Sequence, residues 1–318
     1  MRGVVINEWG GPDVLELADG LPEPEPEPGQ RLIRVSAAGV NFADTHAREN
    51  AYIAKYELPL VPGTELAGTL DDGTRVVAMP HHGGYAEYAV ADESSIFPLP
   101  DGLDDHAALA LLIQGLTAWH LYRTAGQIRP GETVVVHSAA GGTGSLALQL
   151  AKPMGAGRVI ASASSDDKRA LARELGADAV IDSAPERMTE RLLEANDGAP
   201  VDLVFDMAGG DVFEQSAESL APFGRIVVYG IASREQNDLR TGRLMRKSRG
   251  VIGFWLMHCL ERPETMMREP LRDLFERAAR GELKPQLGSV YALSDVRRAH
   301  EDLVGRRTTG KLILDPAR

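Results

Sequence analysis

The apolar pattern of this chain changes period near residue 100. In the first hundred residues, apolar positions come as brief β-rich runs, "GVVI", "VLELA", "RLIRVSAAG", "TRVVAM" and "AEYAVA", each bounded by Gly, Pro or Asp. That is the pattern of short strands joined by turns. Between the second and third runs lies "LPEPEPEPGQ", Leu21 to Gln30, whose alternating prolines forbid a helix and favour an extended loop with solvated glutamates. From "LPDGLDDHAALALLIQGLTAWHLYRTAG" onward the spacing becomes helical. Asp104 or Asp105 is placed to cap a helix running to about Thr124, with Gly126 as its stop.

Strand and helix then alternate. Strands are predicted at Thr133–His137, Arg158–Ala163, Ala179–Asp182, Val201–Asp206, Arg225–Tyr229 and in "VIGFWL". The helices between them start near Thr143 and Asp166, cover Arg187–Ala195 and Phe213–Leu220, and end with a basic segment after Arg240. Apolar strands separated by helices predict a parallel sheet covered on both faces. Two more helices, Glu264–Arg280 and Ser294–Val304, precede a last strand, "KLILD", and no repeat at a fixed period is visible.

One turn carries a chemical signature. In "TVVVHSAAGGTGSLALQLAK" the pattern Ala139-x-Gly141-x-x-Gly144 follows a strand and opens a helix, where a dinucleotide fingerprint belongs. Gly141 would let backbone approach a pyrophosphate and Gly144 would let helix pack on strand. The anion would rest on the free N–H groups around Gly142 and Thr143. The competing reading is a tight corner between strand and helix. The second strand ends in "ASASS" followed by "DDKR". Hydroxyls at Ser164 and Ser165 with a cation at Lys168 suit a 2′-phosphate, hence NADPH, which a carboxylate would repel. Asp166 either caps the next helix or, if the strand ends later, reaches a ribose.

Composition narrows the class. The 318 residues carry a formal net charge of −12, which argues against nucleic acid as a partner. No apolar run approaches the roughly 18 residues needed to span a bilayer, and "MRGVVINEWGG" has no secretory core. The single cysteine, Cys259, excludes an internal disulfide and a multi-cysteine zinc cluster, and is expected to be a small buried apolar residue. A cytoplasmic protein is expected. The pair His81 and His82 has no third ligand nearby.

The stretches "GVNFADTHARENAY", "LPLVPGTELAGT", "GGYAEYAV", "LIQGLTAW", "VHSAAGGTGSLALQLAK", "LARELGADAVID" and "RRTTGKLIL" run in order across nearly the whole length. In them the chain resembles the medium-chain dehydrogenase/reductase superfamily, in its zinc-independent quinone oxidoreductase (ζ-crystallin-like) branch. The resemblance implies an α/β fold, with a GroES-like, mainly-β catalytic domain and an inserted Rossmann doubly wound parallel sheet. Expected boundaries are 1–118 and 258–318 for the catalytic domain and 119–257 for the NADPH-binding domain. The ligand positions of zinc-dependent relatives become Asn41, Thr64 and Ile113, which are no zinc set. The implied activity is metal-free hydride transfer from NADPH to a quinone or small conjugated carbonyl.

The same resemblance implies roles for individual residues. Asn41, His46 and Tyr52 would line the catalytic cleft, with Tyr52 where enoyl-thioester reductases carry a proposed proton donor. Thr117, Gly230 and Phe254 would lie near the nicotinamide, Ala139 to Gly144 at the pyrophosphate, and Lys311, with Arg307, at the cofactor phosphates. A turn-forming Asn41 and a solvated His46 are the competing readings. "LDDG" replaces a longer family hairpin. Two other functions stay open: enoyl-thioester reduction, favoured by Tyr52 and the Arg240–Arg249 cluster, and non-catalytic NADPH sensing. The apolar "GVIGFWL" suggests a homodimer formed edge to edge.

Overall fold

The computed structural model describes residues 1–51 and 53–318; Tyr52 lies outside the described residues. The chain divides into two compact units, Met1–Ile113 with Cys259–Arg318, and Gln114–His258. The expected boundaries fell five residues later on the first side and one residue earlier on the second.

The second unit is a six-stranded sheet, all parallel. Its strands are β1 (Thr133–Val136), β2 (Arg158–Ala163), β3 (Ala179–Asp182), β4 (Val201–Asp206), β5 (Leu220–Val228) and β6 (Gly250–Gly253), in the order β3-β2-β1-β4-β5-β6. Val134, Val135, Val136, Val159, Ile160, Leu203, Val204 and Phe205 are fully buried, as strands covered on both faces must be. Chain order reverses between β1 and β4, and at such a switch point ligands bind beyond the carboxyl ends of the strands.

Two strands differ from the sequence pattern. The fifth starts at Leu220, because a register shift between Val201 and Leu203 lets "LAPFG" join the ladder. The last ends at Gly253. The Phe254 N–H makes a final bond to the Val228 carbonyl (2.9 Å), and a 3₁₀ turn follows at Leu256–Glu261. The helix predicted from Asp104 or Asp105 is present. Asp104 accepts from the His106 and Ala107 N–H groups, and residues 105–125 are helical throughout, with π-type turns at Leu111–Gly115 and Leu121–Ala125.

The first unit is built on the long strand Gln30–Val40. Its burial alternates as far as Ser36 and is continuous from Ala37 to Val40, where it acquires neighbours on both edges. Leu66–Thr69 pairs on one side, with Leu66 opposite Ala38, and Lys311–Asp315 on the other, with Leu312 opposite Val40. Arg75–Ala78, Tyr88–Asp92, Ile96–Pro98 and Leu287–Ala292 complete the seven-stranded sheet; of its strands, Leu66–Thr69, Ile96–Pro98 and Leu287–Ala292 are not evident as apolar runs. The beginning and end of the chain are therefore laced into one sheet, so that Glu65, Gly39 and Lys311 come together. A Cβ on Gly39 would lie 2.7 Å from the Lys311 ammonium nitrogen and closer still to a Glu65 oxygen. Glycine is required there to admit the two side chains. Among the described residues, no helix is long and apolar enough to cross a membrane.

Candidate active site

In the second unit the glycine turn lies at the carboxyl end of β1, at the switch point. Ser138 adopts φ +50°, and the turn is pinned by the Ala139 N–H on the Ser162 carbonyl (3.0 Å) and the Gly141 N–H on the Ser138 carbonyl (2.9 Å). Helix α1 (Gly142–Met154) starts at once, with no side chain capping its first turn, so N–H groups of its first residues point outward unclaimed. The glycines have distinct causes. At Gly144 a Cβ would meet the Ser138 carbonyl and lie 2.9 Å from Ala139 Cα, so the helix packs backbone to backbone on the turn. At Gly142 it would overlap the Gln114 carboxamide, whose oxygen is buried without a hydrogen bond. Gly141 has an ordinary φ of −76°, and a Cβ there would meet only the Ser138 oxygen at 3.2 Å. The fold around Gly141 thus leaves room for a ligand.

His137 braces this turn from below. Fully buried, it bonds the Ser162 hydroxyl through Nδ1 (2.7 Å) and the Ser216 hydroxyl through Nε2 (2.8 Å). Burial lowers its pKa to about 4, so the ring is neutral and links β1, β2 and the helix Gly210–Ser219. The sequence reading took His137 as the last strand residue. Its two serine partners, 25 and 79 residues away, left no local signal.

At the end of β2, Ser164 and Ser165 are exposed, and the Ser165 hydroxyl accepts the Lys168 N–H (3.3 Å), capping the helix Asp166–Glu174. Lys168 is half-buried. Asp166 points outward with its carboxylate held by Arg169 (2.6 Å), which also bonds Asp182 (2.8 Å) and the Ala163 carbonyl (2.9 Å). The first carboxylate after the strand is thus already paired with a guanidinium. Beyond β4, Asp206 is buried and accepts the Ala208 and Gly209 N–H groups, with burial raising its pKa to about 6. At Gly230 a Cβ would come within 3.1 Å of the Met207 carbonyl oxygen. Thr117 is buried on the helix that carries Gln114, one turn from the buried His120, on whose ring Phe254 stacks (5.6 Å between centroids).

The first unit gathers a different set. Asn41 precedes the helix Phe42–Ala47, which also carries His46, half-buried with its ring 5.5 Å from Phe42. Asn41 Nδ2 donates to Glu65 (2.9 Å), and its Oδ1 accepts from the Lys311 ammonium (2.9 Å). Lys311 and Glu65 form an ion pair with neither side chain exposed, and Glu65 also accepts the Ile113 N–H (2.7 Å). Lys311, expected at the cofactor phosphates, has its ammonium engaged inside this cluster. Its place at the start of a strand gave no sign of the burial. Arg307 is exposed and bonds Asp302 (2.8 Å). Below the cluster, Asp44 accepts the Asn41 N–H (2.8 Å) and the Tyr85 hydroxyl (2.9 Å). Burial raises Asp44 to about 6, and burial with the nearby Arg48 charge lowers His300 to about 3. In the sequence Glu65 is visible only as the third letter of "GTE", with no local signal of its role.

A model of the alcohol dehydrogenase GroES-like domain matches residues 27–101, and one described as zinc-binding dehydrogenase matches residues 142–274. The Pseudomonas aeruginosa quinone oxidoreductase is 36% identical over 97% of both chains. The chain belongs to the medium-chain dehydrogenase/reductase superfamily, in its quinone oxidoreductase branch. It is an oxidoreductase. Among solved structures, the Thermus thermophilus quinone oxidoreductase, known also in complex with NADPH, is 38% identical with a TM-score of 0.87 over 99% of this chain and 100% of that one. The Escherichia coli quinone oxidoreductase complexed with NADPH is 31% identical, with a TM-score of 0.90 over the same shares.

The "zinc-binding" match does not include positions 41, 64 and 113, and the residues there do not fit zinc. Asn41 is engaged by Glu65 and Lys311, Thr64 offers a hydroxyl 3.5 Å from Asp44, and Ile113 offers hydrocarbon. A buried ammonium 2.9 Å from the Asn41 oxygen would also repel a divalent cation.

His137 makes the acid stability of the second unit testable. Unfolded, its imidazole protonates near 6.5, and folded at about 4. Its stabilisation is therefore complete above pH 6.5 and is lost as pH falls towards 4, at about 1.4 kcal/mol per pH unit. The unfolding free-energy difference between wild type and His137→Gln, measured in urea, should shrink from pH 7.5 to pH 5; a difference independent of pH would contradict a neutral buried ring.

Proposed function

We propose that the protein is a zinc-independent, NADPH-dependent reductase of quinones or small conjugated carbonyls, acting in the cytoplasm. The observation that carries this reading is the uncapped glycine-turn helix at the switch point of the second unit; the first unit, taken by itself, has a buried Lys311–Glu65–Asn41 cluster at Asn41, one of the positions that hold metal in zinc-dependent relatives. NADPH, when bound, supplies the hydride. The N–H groups at the start of α1 receive its pyrophosphate, Gly141 leaves the backbone open to it, and His137 fixes the turn from beneath. Ser164, Ser165 and Lys168 receive the 2′-phosphate, and Arg169 offsets the one carboxylate in the same turn. Thr117, Gly230 and Phe254 flank the nicotinamide end. Without a Lewis acid, the acceptor must be electrophilic in its own right, which a quinone or enone is, and the protein has only to orient it and stabilise its oxygen. Among the described residues, no group of three His, Cys, Asp or Glu is arranged to hold a metal.

The basic helix Thr241–Lys247 favours this reading over an enoyl-thioester reductase. Arg243 pairs with Glu214 and Glu218, and Lys247 pairs with Glu218 (2.8 Å), so two of its cations already have carboxylate partners. We also propose a homodimer, formed by the open edge of β6, which among the described residues pairs with β5 alone.

With 1,4-benzoquinone, kcat/KM should favour NADPH over NADH at least tenfold, and Ser164→Asp should reverse the order by repelling the 2′-phosphate. Equal use of the two cofactors would contradict the assignment, and NADPH binding without turnover would move the reading to a thioester or a sensor. Sedimentation velocity at micromolar concentration should give a dimer; a monomer would remove the edge-pairing proposal.

A further inference from the structure

The hydrogen bonds of Asn41 leave no freedom in how its carboxamide faces. Glu65 can only accept and Lys311 can only donate, so nitrogen must face the carboxylate and oxygen the ammonium, as their 2.9 Å contacts record. The alternative amide orientation would set acceptor against acceptor and donor against donor. Both charged partners are fully buried, whereas Asn41 keeps a 7% exposure. The carboxamide has two N–H bonds, and one is committed to Glu65. The other is not committed to the ion pair, and Asn41 is the one member of the triad with any exposed surface. The Lys311 charge on the amide oxygen draws electron density from the nitrogen and strengthens that N–H as a donor, an effect enlarged where water is absent.

We propose that Glu65 and Lys311 are positioning residues for the reductase reaction, holding and polarising Asn41 so that its second N–H is directed at the acceptor oxygen. This rests on the reading of the protein as a quinone or enone reductase. In that reaction the acceptor takes two electrons and one hydrogen, as hydride, from NADPH, which ends as NADP⁺. The negative charge gathers on the acceptor oxygen until a proton from water neutralises it. The Asn41 N–H meets that charge as it develops, while the ion pair keeps its direction. A buried pair is a costly way to hold two strands together, since apolar residues of the same size often do as well or better. Its retention beside a half-committed amide is what a positioning role explains.

The test compares kcat and KM for 1,4-benzoquinone, together with the NADPH Kd, across variants. Glu65→Gln/Lys311→Met removes both charges with little change in volume, so the pair is replaced without leaving a lone buried ion. This variant should melt as a folded protein and bind NADPH within about twofold of wild type, while kcat falls about 100-fold, the scale of losing one oxyanion donor. Asn41→Ala should lose a similar factor, and the triple variant should be no worse than either, because all three act through one N–H. Lys311→Arg should recover part of the loss. A folded double variant with wild-type kcat, or losses that multiply in the triple variant, would overturn the proposal while leaving the reductase reading intact. A wild-type enzyme that binds NADPH but never reduces the quinone would overturn that reading, and this proposal with it.

Discussion

The structure of the first unit depends on one buried ion pair, Lys311 with Glu65. Taking two charges out of water costs several kcal/mol per ion even after relaxation, and the sheet is arranged to offset that cost. The Asn41 carboxamide and the Ile113 N–H add hydrogen bonds to the cluster. Gly39 gives up a side chain to make the space. The pair also fixes a register: Lys311 reaches Asn41 because Leu312 lies opposite Val40 and Leu66 opposite Ala38. Residues from the two ends of the chain thus meet at one point in the sheet.

The two units handle charge in opposite ways. In the second, the helix α1 begins without a capping side chain, leaving backbone dipoles for the anion proposed above, and Asp166 is paired with Arg169. In the first, charge is built into the protein and buried, with Asn41 bonded to both partners. Zinc-dependent members of the superfamily use a metal ion to stabilise charge on oxygen. In the proposed reading, an ammonium, a carboxylate and a carboxamide stand in place of that ion. On that proposal the set would suit acceptors that carry their own electrophilicity.

The parts legible in the sequence are those whose causes are local. The glycine turn could be read because a strand end, close packing at Gly144 and a helix start fall within a dozen residues. The alternation of strand and helix from Thr133 to Asp206 was legible for the same reason, since the period of apolar residues reports burial directly. The buried cluster was not. Lys311 lies 270 positions from Asn41 and 246 from Glu65, and a lysine opening a strand looks like a solvated charge until the neighbouring strand is known. The His137 bridge failed the local reading in the same way. The Tyr52 expectation falls on the one residue outside those described.

The most direct measurement of the central claim is the NADPH-dependent turnover of 1,4-benzoquinone by protein stripped with 1,10-phenanthroline and EDTA, its metal content assayed in the same sample. Full activity at far below one zinc per chain is the predicted result. Activity that disappears with the metal and returns on adding zinc would contradict the account, because it would require a cation where Lys311 already lies.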